Sequence, residues 1–150
     1  MQVLAPQGIY ADKRGRIVTL PTFPTVESTV IESRAGAVRG NHYHRDETHL
    51  MYVVSGFMVY IEQDVEGGLQ VVEVRPGESV RTPAGVAHCT FFPEDTTFVA
   101  LSDVSRAGDA YEDAVTRVAP MHEHPDVRRY IADAPGLLVV PALGRPAPAG

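Results

Sequence analysis

In the middle of this chain no apolar run goes far before a glycine or proline stops it. Ile17–Leu20 ends at Pro21, Thr29–Ser33 leads to Gly36, and His49–Val54 breaks at Ser55-Gly56. Phe57–Glu62 gives way to a turn through Gly67-Gly68, and Leu69–Val74 to Arg75-Pro76-Gly77. Ser79–Thr82 stops at Pro83-Ala84-Gly85, His88–Phe92 stops at Pro93, and Thr96–Leu101 closes the series. Runs this short, evenly spaced and rich in Val, Thr, Tyr and Phe predict an all-β sandwich or barrel of seven or eight strands. Proline presets φ and glycine accepts positive φ, so Pro76-Gly77 and Pro83-Ala84-Gly85 read as tight turns. No long 3.6-residue period intrudes, which weighs against an α/β fold. The barrel core is expected over about residues 29–103.

Beyond that core the texture changes. Residues 103–116 are polar and read as an outer strand or loop. Pro125–Asp133 predicts one short helix, with proline in its first turn, Asp126 beside it and Pro135-Gly136 as its stop. Residues 104–143 form an expected C-terminal extension, and the Pro, Ala and Gly alternation of 144–150 an expected disordered tail. A chain of 150 residues suits one domain over 1–150 and leaves no room for a second.

Charge and cysteine use narrow the partners. The net charge is −6, and the thirteen Lys and Arg are scattered. Without a cationic cluster to neutralise phosphates, neither nucleic acid nor an anionic membrane is an expected partner. Cys89 is alone, so no internal disulfide can form. No run reaches signal-peptide or membrane-span length. A cytoplasmic protein acting on a small molecule is expected.

Four histidines fall inside the β region. His42 and His44 are one residue apart, so on a strand they share a face. His49 opens the next apolar run, and His88 follows the Pro83-Ala84-Gly85 turn far along the chain. Ligands from such distant strands converge only if the sheet curls on itself, as a barrel does. Converging imidazoles suit zinc, iron, nickel, copper and manganese.

These residues carry a family resemblance. Gly36, His42, His44, His49 and Gly56 resemble the first cupin motif in their spacing, and Gly77, Pro83, Gly85 and His88 resemble the second. The resemblance implies a double-stranded β-helix, the cupin jelly-roll barrel, with the short helix appended at its C-terminal side. It implies one divalent metal ion held by His42, His44, His49 and His88, and pairing into a homodimer. Two positions depart from the pattern: His49 stands where glutamate is usual, and Phe92 where the second motif closes on asparagine. Losing a carboxylate makes the site more cationic and softer, so zinc or iron is expected ahead of manganese and nickel. The phrase Arg39-Gly40-Asn41-His42-Tyr43-His44 resembles cupins of nucleotide-sugar and natural-product biosynthesis.

Other residues are weighed against plainer roles. By alternation Glu47 shares a face with His49, Met51 and Val53, which places it near the mouth, and Glu47 or Tyr43 is the expected proton-transfer group. Arg39, Tyr52, Tyr60, Arg81 and Phe92 are substrate-contact candidates, although packing or surface exposure is the plainer role for each. His122 and His124 lie outside the barrel signal and read as surface residues; Cys89 points away from His88 and reads as a buried structural thiol. The expected activity is metal-dependent isomerisation, epimerisation, cyclisation or elimination. A non-haem iron dioxygenase and a non-catalytic ligand-binding cupin stand as alternatives, because one barrel hosts many chemistries.

Overall fold

The computed structural model describes residues 3–105 and 114–133. Twelve strands run in order: β1 (Val3–Leu4), β2 (Gly8–Asp12), β3 (Gly15–Thr19), β4 (Glu27–Ser33), β5 (Val38–His44) and β6 (His49–Ser55). They continue with β7 (Met58–Gln63), β8 (Leu69–Val74), β9 (Ser79–Thr82), β10 (His88–Phe91), β11 (Thr96–Ser102) and β12 (Val115–Arg117). A 3-10 turn at Met121–Glu123 leads into one helix, α1 (Pro125–Asp133). The helix matches its sequence expectation; the expected tail at 144–150, the Pro135-Gly136 stop and part of the extension lie outside the described residues. Among the described residues no helix is long and apolar enough to cross a membrane.

The strands form two five-stranded antiparallel sheets, β1-β9-β6-β11-β4 and β12-β5-β10-β7-β8, with β2-β3 as a separate ribbon. From β4 to β12 the chain alternates between the two sheets except at the β7–β8 hairpin, which stays in the second; this is the double-stranded β-helix that the motifs imply. Between the sheets Met51, Val53, Met58, Tyr60, Val74, Val80, Phe92 and Phe98 form one buried core. Each large apolar side chain there contributes roughly 1.5–3 kcal/mol by leaving water.

A second core lies outside the barrel, on the far face of the second sheet. Val59, Ile61, Cys89 and Phe91 point outward from β7 and β10 and are covered by Met121, Val127 and Ile131. The period-2 pattern of β10 therefore serves two interiors: His88 and Thr90 inward, Cys89 and Phe91 toward the helix. Asn41 ties this C-terminal cap down. Its Oδ1 accepts the Met121 N–H at 2.8 Å, its Nδ2 donates to His122 Nδ1 at 3.1 Å, and its carbonyl accepts the Val118 N–H at 2.9 Å.

That contact corrects the reading of His122 as a surface residue: it is fully buried. A polar ring tolerates such burial because Asn41 meets it, a partner 81 positions away that no local pattern reveals. His124 is exposed, as expected.

Candidate functional site

The site begins with a defect in β5. His42 pairs with His88 while Gly40 pairs with Cys89, so Asn41 is an extra residue in the ladder. Gly40 and Asn41 both take positive φ, +86° and +56°. Asparagine is among the few non-glycine residues that accept this conformation. A bulge re-aims the side chains on either side of it. Strict alternation from His42 would turn Arg39 outward; with the bulge, Arg39 pairs with Thr90 and both face the interior.

His42 and His44 project inward from β5, His49 from the start of β6 and His88 from the start of β10. All four are at most 4% exposed. Ligand atoms of His42, His44 and His88 lie within 4.8 Å of one another. The His49 ring centroid is 5.2 Å from those of His44 and His88.

What stands behind the rings decides which nitrogen faces the centre. His88 Nδ1 is 3.1 Å from the Val86 carbonyl, which has no proton to give, so Nδ1 carries the hydrogen and Nε2 keeps its lone pair. His44 Nδ1 is 3.1 Å from Glu47 Oε2, and His49 Nδ1 is 3.5 Å from Glu47 Oε1. Both are ion-pair contacts. Burial above all, then the neighbouring His49 and His42, hold His88 well below the usual imidazole range, in its neutral form. Buried imidazoles converging within 4.8 Å are the donor set a transition-metal ion requires, so the residues present fit a metal.

The imidazoles floor a cavity of about 110 Å³, walled by Ile31, Met51, Thr90, Phe98 and Ala100. Among the described residues Arg39 is the one Lys or Arg on its wall, held by bonds to Ser33 Oγ at 2.8 Å and the Glu32 carbonyl at 3.2 Å.

The remaining sequence candidates sit elsewhere. Glu47 is 1% exposed, in the turn between β5 and β6, behind the rings rather than at the mouth. Tyr43 packs on the outer core, and Arg81 is exposed on β9. Tyr52 pairs with Ser79 and Val99, on the opposite parity from inward Met51. Phe92 stacks on Phe98 at 5.5 Å, in the barrel core. Tyr60 lies beside His88, ring centroids 6.2 Å apart, with its hydroxyl donating to Glu62 Oε2 at 2.6 Å and 2.9 Å from Thr82 Oγ1. Burial first, and then the Glu62 carboxylate, raise its pKa far above the usual phenol range, so the hydroxyl stays protonated.

Residues 29–102 match the family model described as the cupin domain. The chain belongs to the cupin family. No curated relative matches this cupin by sequence. Among solved structures it is similar to ChmJ, a 3'-monoepimerase from Streptomyces bikiniensis in complex with dTDP-quinovose, at 22% identity and a TM-score of 0.70. That match covers 98% of this chain and 82% of the other. It is similar to the rmlC epimerase of Mycobacterium tuberculosis at 18% identity and a TM-score of 0.64, over 77% of this chain and 66% of that one. A third is QdtA, a sugar 3,4-ketoisomerase from Thermoanaerobacterium thermosaccharolyticum in complex with TDP. There the identity is 15% and the TM-score 0.64, over 77% of this chain and 87% of the other. At these identities the likeness is one of fold.

The wall residues Ile31, Met51, Thr90, Phe98 and Ala100 escaped sequence reasoning as a set. Their signal was inward parity on β4, β6, β10 and β11, readable only once the strand register is known.

Proposed function

We propose that this cupin is a metal-dependent enzyme that rearranges a small polar carbonyl metabolite without net oxidation, as an isomerase, epimerase, cyclase or lyase. The carrying observation is the convergence of His42, His44, His88 and His49 on the floor of a cavity with Arg39 on its wall. A divalent ion on these imidazoles would supply Lewis acidity toward a substrate carbonyl. The chain itself does the positioning. Arg39, pinned by Ser33 and Glu32, offers fixed guanidinium donors to a carbonyl, hydroxyl or anionic group. Ile31, Met51, Phe98 and Ala100 make the rest of the wall apolar, which excludes water and strengthens each polar contact inside. Pockets for drug-sized ligands hold roughly 300–1,000 Å³, so this smaller cavity suits the compact reacting end of a substrate. The epimerases and ketoisomerases of similar fold support nucleotide-linked sugars as the first class to try.

The test is elemental analysis of the purified protein, followed by solvent-deuterium incorporation into nucleotide-linked keto sugars. About one equivalent of zinc, lost in His42→Ala, with metal-dependent exchange or product formation, is the expected result. Absence of exchange and product across the carbonyl panel would refute it. The imidazole-rich donor set also suits iron, and iron-dependent oxygen consumption with substrate would replace this reading with dioxygenation.

A further inference from the structure

The residue whose placement the proposed reaction leaves unexplained is Glu47. A carboxylate 1% exposed pays heavily for burial unless its oxygens are matched by donors. Its two oxygens do not reach the cavity; each instead faces a different imidazole, Oε2 toward His44 Nδ1 and Oε1 toward His49 Nδ1. The chain leaves strand geometry between His44 and His49, and that turn swings Glu47 behind both rings. A carboxylate can only accept, so an imidazole facing it through Nδ1 must carry its hydrogen there. Its Nε2 lone pair then points into the cluster.

We infer that Glu47 is a positioning residue. One buried carboxylate, shared by His44 and His49, presents both rings Nε2-first to the metal and places a negative charge directly behind them. The inference rests on the metal reading and deepens it. A carboxylate placed behind the rings would offset part of a bound ion's charge without occupying a coordination position. It also accounts for the unusual histidine at position 49. On this reading the carboxylate stands behind the rings, and His49 would offer a nitrogen where the family motif usually has glutamate.

Glu47→Gln tests this sharply, because the amide is nearly the same shape but has one accepting and one donating end. Only one of the two rings can keep its hydrogen on Nδ1; the ring meeting the NH₂ must move it to Nε2, which then cannot ligate. Histidine tautomers are read in the metal-free protein by long-range proton–nitrogen correlation, and zinc affinity by competition with a chelator. The expected result is Nδ1–H on both rings in the parent and on one in Glu47→Gln, with zinc affinity lowered roughly 10–100-fold. In a His49→Ala background the amide oxygen suffices for His44, so the same change should cost under about 3-fold, a non-additivity that general destabilisation would not produce.

Two outcomes separate this inference from the one beneath it. If the parent binds zinc and Glu47→Gln leaves both tautomers and the affinity unchanged, the positioning role is overturned and the metal site stands. If the tautomer switches but no variant or parent takes up metal, the positioning of the rings stands and the metal reading falls.

Discussion

Replacing Gly40 with alanine should damage this protein far more than the loss of a hydrogen atom suggests. Gly40 sits at φ +86°, where a side chain costs roughly 1–2 kcal/mol. A Cβ there would lie 2.9 Å from the His88 carbonyl oxygen and 3.2 Å from Cys89 Cα, both backbone atoms that cannot swing aside. Relieving such overpacking typically adds about 1–3 kcal/mol. Against this, alanine restricts the unfolded chain and returns about 0.4–1 kcal/mol. The net expectation is a loss of about 1–4.6 kcal/mol, or roughly 2–18 °C in melting temperature for a chain of this size. Thermal and urea unfolding of the chelator-treated protein measures it, with Gly8→Ala as control. Gly8 has ordinary φ and open space around its Cβ position, so that variant should stay within about 0.5 kcal/mol of the parent. If Gly40→Ala also stays within about 0.5 kcal/mol, the bulge is not the rigid support that positions His42 against His88.

Three further outcomes are expected. His88 is neutral when folded and has a normal imidazole constant when unfolded, so it adds no pH dependence above about 6.5. Below that the unfolded chain gains a proton the folded one refuses, and stability falls by about 1.4 kcal/mol per pH unit until the folded constant is reached. Urea titrations of the metal-free protein should show that slope reduced in His88→Asn; an unchanged slope would contradict the assignment. Asn41→Gly keeps the positive φ and loses only the cap bonds, whereas Asn41→Ala loses both. The alanine variant should therefore be less stable by about 1 kcal/mol, and equal melts would show that backbone strain is not at stake. The Cys89 thiol, pushed up to about 12 by burial, should resist alkylation at neutral pH unless the protein unfolds; rapid native labelling would place it at the surface.

Much of the framework was readable because turns were marked chemically. The Pro-Gly and Ser-Gly stops delimit β6, β8 and β9 within a residue or two. Proline in the first turn and the following acid locate α1. His42 and His44 share a face by simple period 2, and the two spaced motifs bring His49 and His88 to them.

Period 2 failed wherever the backbone left strand geometry. Counting back from His42 would place Arg39 outside, because nothing local declares that Gly40 and Asn41 hold one extra residue. Counting back from His49 placed Glu47 near the mouth, because the strand was assumed to continue through residues 45–48, which instead turn. Burial of His122 depends on Asn41, a partner visible only in three dimensions. Tyr60 does point inward, yet its hydroxyl is already engaged by Glu62 and Thr82.

Strand β10 carries a consequence for how this scaffold can change. Odd and even positions along its four residues belong to separate compartments: His88 and Thr90 to the cavity, Cys89 and Phe91 to the seam beneath the helix. Substitutions of one parity reshape the cavity and those of the other alter the packing beneath the helix. Varying Thr90 therefore reshapes the cavity wall while the seam beneath the helix stays untouched, whereas Met51 and Phe98 serve the wall and the barrel core at once.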